Sequence, residues 1–141
     1  MSGFLSGMSI AGSGLSAQRT RMNVVSSNLA NAQTTRTEEG GAYRRRDPVF
    51  RAAQVSDFER ELDSAFHGVR IVAIEPDMTT PMEMVYDPSH PDSNPDGYLE
   101  LPNVNVVEEM VNMITASRSY EANATAFETL KQMAMRAVNI G

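Results

Sequence analysis

Steps of four and three from Phe4 land on Met8, Ala11, Leu15, Gln18, Met22, Val25, Leu29 and Ala32. Only Gln18 breaks this apolar row, so the spacing predicts a long helix with a heptad seam. A second row starts at Val106 and runs through Met110, Met113, Ser117, Tyr120, Ala124, Phe127, Lys131, Ala134 and Val138. Leu130 replaces Lys131 if the seam slips by one residue. Asn103 or Asn105 supplies an N-cap just after Pro102, with Glu108 and Glu109 favourably placed in the first turn. Between the two rows the period changes. The stretches 43–52, 68–75, 82–87 and 97–101 are short, rich in β-branched or aromatic residues and separated by turn chemistry, which predicts strands. Residues 57–66, DFERELDSAF, fit a short helix or a solvated loop.

All seven prolines fall between Pro48 and Pro102. Because proline breaks helix interiors, they divide the chain into an N-terminal helical arm (1–35), a β-rich middle with an extended linker (36–102) and a C-terminal helical arm (103–141). The expected fold class is α+β: long terminal helices form a coiled-coil layer, with a small β domain between them. The middle is too short to bury a substantial core alone. Gly3, Gly7, Gly12 and Gly14 burden the first arm, each by about 1 kcal/mol relative to alanine in a helix interior. Such a helix needs a packing partner. The two arms packed as a helical hairpin are one solution. Neighbouring copies completing the core are the other. Ten methionines suit adaptable interfaces as well as ordinary core.

Charge sharpens this division. Residues 1–46 carry a net +4, residues 47–105 a net −9 and residues 106–141 a net −1. An acidic middle argues against nucleic acid as a partner and suits basic-to-acidic contact between copies. No run of apolar residues reaches the roughly 20 needed to span a bilayer. The first residues lack a basic n-region and sustained apolar core, so no Sec-type signal is expected there. The absence of cysteine excludes disulfides and thiolate metal sites.

Candidate chemistry is sparse. Asp92-x-Asn94-x-Asp96-Gly97 matches the opening of a calcium loop, and His90 and Asp87 lie close by. Asn103 stands where that loop needs a bidentate glutamate, and Pro95 and Pro102 interrupt it, so a turn cluster is the favoured reading. A metal-binding module using residues 87–97 is the alternative. GSGLS (12–16) places Leu15 where a nucleophile elbow needs serine. YRRR (43–46) with Arg51 reads as a charge-protected edge strand, or as arginines paired with the acidic middle of a neighbour. No enzyme, cofactor or small-molecule substrate is expected.

The first arm ends in SSNLANAQTT (26–35), followed by YRR. With its Asn28-Leu29-Ala30-Asn31 core, this resembles the signature of the bacterial flagellar axial proteins, the rod and hook group. YDPSHPD (86–92), GYLELPNVNVVEEMVNMI (97–114) and ASRSYEAN (116–123) resemble its proximal-rod branch. The resemblance implies a structural subunit of the basal-body rod, exported by the flagellar type III apparatus and assembled helically into a drive shaft crossing the periplasm. Implied partners are copies of itself, other rod proteins and the membrane-embedded ring at the rod base. Another rod or hook axial protein is the nearest alternative. Leu15, Met22, Val25, Leu29, Met110, Met113, Tyr120 and Phe127 are then expected to carry the inner packing. Asn28 and Asn31 would face water in a single chain and hydrogen-bond between subunits in an array.

Overall fold

A computed structural model of the protein describes residues 2–54 and 67–140. The possible helix at 57–66 lies outside them. The element order is α1 (Ser2–Ala30), β1 (Arg46–Gln54), β2 (His67–Pro76), β3 (Glu83–Tyr86), β4 (Tyr98–Leu101) and α2 (Val106–Ile140). The class is α+β: two long helices and two antiparallel hairpins, β1–β2 and β3–β4.

The helices pack antiparallel. A side chain at Gly7 would meet Leu130, one at Gly14 would meet Asn123, and Asn28 bonds Glu109. Each advance of seven residues on α1 is thus matched by a retreat of seven on α2, apart from the step Arg21 would supply opposite Ala116. Ala116 itself is completely buried. The residues of closest contact, Gly7, Gly14 and Asn28, lie one position before Met8, Leu15 and Leu29, and the row Ala11-Gln18-Val25 flanks them. Buried apolar groups on α1 are correspondingly small: Ala11, Ala17, Val24 and Val25. Gly14 shows why. A Cβ there would lie 2.9–3.0 Å from the Asn123 side chain, so its absence lets the backbones approach. Close packing against α2 offsets the low helix propensity of α1.

Hairpin β1–β2 lies along α1. Its start is tied to Asn28 through Arg46, and the Val69 N–H donates to Ser13 Oγ at 3.0 Å. The spans agree: fifteen helical residues cover about 22 Å and seven strand residues about 23 Å. The strand pairing shifts between Val49 and Phe50, a bulge that bends the ribbon. Hairpin β3–β4 covers Leu99 and leaves Met84, Tyr86 and Tyr98 exposed.

Candidate functional site

The site is the end of the helix pair, where α1 stops, the chain returns and α2 begins. Asn31 ends α1. Its backbone N–H and side-chain amide both donate to Ser27 O, while its Oδ1 accepts from the Thr34 hydroxyl at 3.1 Å. These bonds occupy groups left over at a helix C-terminus. The loop then closes through Tyr43 N–H donating to Thr34 O, which returns the chain beside Asn28. At the other helix, Asn105 is the N-cap: its Oδ1 accepts from the N–H groups of Val107 and Glu108.

Asn28 is 1% exposed, and its amide uses its full capacity. Oδ1 accepts from the Tyr43 hydroxyl at 2.9 Å and Arg46 N–H at 3.0 Å. Nδ2 donates to Arg46 O at 2.9 Å and Glu109 Oε2 at 3.0 Å. The amide therefore pairs with the Arg46 backbone as a neighbouring strand would, and joins it to both helices. This corrects the expectation that Asn28 faces water in a single chain. The amide belongs to the interior because residues 43–46 return over the end of α1.

Glu109 is fully buried. Its Oε1 accepts from Arg45 Nε at 2.7 Å and Asn112 Nδ2 at 3.4 Å. Arg45 also pairs with Asp47, and Asp77 lies 3.9 Å from it. Burial opposes the charged guanidinium, but hydrogen bonds with Glu109 and Asp47 outweigh it, so the Arg45 pKa is raised. The Arg45 N–H donates to Asn103 Oδ1 at 2.8 Å, and Asn103 Nδ2 donates to the carbonyls of Asp77 and Thr80. Hydroxyl and N–H donors of Thr80, then Thr79, hold the Asp77 carboxyl well below the ordinary range. Arg45 is thus paired inside its own chain, and Arg46 lies over the Tyr43 ring at 5.9 Å. Asn103, one of two cap candidates, is instead this buried bridge.

The expected packing residues are spread differently. Val25 is buried, Leu15, Met22, Leu29, Met113, Tyr120 and Phe127 are half-buried, and Met110 is 53% exposed. Ala30, within the amide motif, is exposed on the last turn of α1. Leu15 and Tyr120 line one shallow groove with Gly12 and Arg19. Beside Met110, Val107, Val111 and Ile114 are also more than half exposed, forming an apolar stripe on α2. In the 87–97 loop, Asp87 accepts from the hydroxyl and N–H of Ser89, which lower its pKa. Asn94 accepts from Asp96 and Tyr98 N–H groups, and Asp92 accepts from the Thr35 hydroxyl. These oxygens serve turns and a tether. Among the described residues no three acidic or histidine side chains converge as a metal site.

Two family models match the chain, on either side of the junction. "Flagella basal body rod protein" covers residues 8–36, and "Flagellar basal body rod FlgEFG protein C-terminal" covers 96–140. The flagellar basal-body rod protein FlgC of Borreliella burgdorferi is 44% identical, over 98% of this chain and 97% of its own. The chain belongs to the FlgC family of flagellar basal-body rod proteins. FlgC of Bacillus subtilis is 41% identical over 95% of both chains, and that of Salmonella typhimurium 39% over 94% and 93%. FlgC-family membership makes this a structural protein of the basal-body rod and not an enzyme. The saturated junction agrees with that role, since its bonds tie both helices to the returning strand. Tyr43, Arg45, Asn103 and Glu109 were not identifiable as site residues from periodicity. Spacing alone set Glu109 in one seven-residue row with Ala116, Asn123 and Leu130 on α2, without marking it as buried.

Proposed function

We propose that this chain is a rod subunit whose helix pair, arms 1–35 and 103–141, forms an inner coiled-coil layer, with residues 36–102 outside it. The reading is supported by FlgC relatives along almost the entire chain. The observation that carries the packing scheme is the uncovered apolar stripe Val107, Met110, Val111 and Ile114. A monomer rarely leaves such a surface in water. Copies of the chain and other rod subunits cover it in a helical array. The membrane-embedded ring lies at the rod base, the flagellar type III apparatus exports the subunit, and the assembled rod crosses the periplasm. No helix among the described residues is long and apolar enough to cross a membrane. The packed array then transmits motor torque, with each polar junction holding its outer hairpin rigidly to the shaft.

Met110→Asp tests this reading. The side chain is exposed in the single chain, so the substitution spares folding. The expected result is normal synthesis and a normal circular-dichroism spectrum, with swimming abolished. Normal swimming would contradict the assembly role of the stripe.

A further inference from the structure

The two hairpins carry outer surfaces that complement each other, and their described strands do not touch. In β1–β2, Arg51 is directly opposite Arg70, and both are exposed. Side chains directly opposite in an antiparallel ladder point to one face, and like charges there destabilise the pair. Among the described residues no carboxylate pairs with either guanidinium. The register shift leaves Val72 as the extra residue, so Val49 with Ala73, and beyond them Asp47 with Glu75, follow the arginine pair on this face, while Ile74 comes opposite Pro48 on the other. The Arg51–Arg70 end of this face is cationic.

In β3–β4, Met84 is opposite Glu100 and Tyr86 is opposite Tyr98. All four are exposed, and the tyrosine rings meet edge to face at 5.3 Å. This face is acidic and aromatic. Arginine pairs with carboxylates and stacks on aromatic rings, so the arginine end of the first face supplies what Glu100 and the tyrosine pair of the second accept. Within one chain the described strands of the two hairpins make no mutual contact.

We infer that the β1–β2 face of one copy docks on the β3–β4 face of a second copy, with Arg51 and Arg70 reaching Glu100 and the Tyr86–Tyr98 pair. The inference rests on the rod-assembly reading and adds a lateral, outer-layer contact to it. Because two different faces meet, the contact is heterologous and propagates around an open helix or ring rather than closing as a symmetric dimer.

The cysteine-free chain permits a direct test. Basal bodies are isolated from strains carrying Arg70→Cys, Glu100→Cys or both, and oxidised. A second pair, Arg51→Cys with Met84→Cys, guards against one pair failing to fold. The expected result is disulfide-linked dimers and higher species in the double variants and monomers in the single ones. Basal bodies containing the chain without crosslinks in either double variant would overturn the contact while leaving the rod assignment standing. Single variants that crosslink equally well would overturn its heterologous character. Arg51→Glu with Arg70→Glu should impair swimming, with Glu100→Arg restoring it, and full swimming by the reversed strain would also overturn the contact. Absence of the wild-type chain from basal bodies would instead overturn the assignment on which the inference rests.

Discussion

The two ends of the helix pair are built on opposite terms. At the junction end, Asn28 and Glu109 are almost completely withdrawn from water, and each polar group finds its partner inside the chain. At the far end, apolar groups remain in solvent: Leu5 is 67% exposed, Met135 56% and Val138 61%. The antiparallel register explains part of this. Gly7 lies against Leu130, so the last turns of α2 run past the start of α1. The junction end therefore sets its own geometry by directional bonds, while its outer stripe on α2 and the far end both await burial from outside. A rod subunit needs both: a fixed angle before assembly, and free surface to gain from it.

Breaking the junction should have the largest effect. Glu109→Ala removes the buried partner of the Arg45 guanidinium, leaving it only Asp47 and Asp77, and leaves one Asn28 donor unpaired. Removing one member of a buried charged pair costs about 3–5 kcal/mol. Urea unfolding of the purified chain should show a loss of that size, and a change below 1 kcal/mol would deny the junction its structural weight. Asn28→Asp is next. It replaces two donors with acceptors facing Arg46 O and Glu109 Oε2, so an expected loss of about 2–4 kcal/mol should appear in the same measurement.

The glycines of α1 sharpen the contrast on a smaller scale. Gly12 has nothing within 4 Å of a built Cβ, whereas Gly14 faces Asn123. Gly12→Ala should stabilise the single chain by about 0.5–1 kcal/mol. Gly14→Ala should gain less, because Asn123 must shift. Equal gains at both positions would argue against close approach of the helices at Gly14.

The smallest effect expected is that of pH on the turns flanking the junction. Asp77 and Asp87 have lowered pKa values in the fold because Thr80, Thr79 and Ser89 donate to their carboxylates. The folded state thus binds fewer protons than the unfolded chain. Their contribution is complete above the unfolded value of about 4 and disappears as pH falls through the lowered folded values. Asp77→Asn should flatten the decline of melting temperature below that pH. An unchanged slope would remove Asp77 from the account.

Much of this organisation was legible before the fold was in hand. The heptad rows located both helices, and the strand stretches fell within a few residues of β1 to β4. The amide motif was also conspicuous. Its environment was not, because Asn28 acquires its partners from residues 43–46 and 109, and periodicity carries no information about which distant segments meet. The row of closest helix contact was similarly hidden. Gly7 and Gly14 look like defects in a pattern scored on apolar character, yet small size brings the backbones together. The larger residues one position later remain partly uncovered.

The central claim is that the apolar stripe on α2, empty in the single chain, is covered in the rod. Maleimide labelling of Met110→Cys measures this directly, since the chain has no other thiol. The account predicts rapid labelling of the purified chain and strong protection in isolated basal bodies. Equal labelling in both would contradict it.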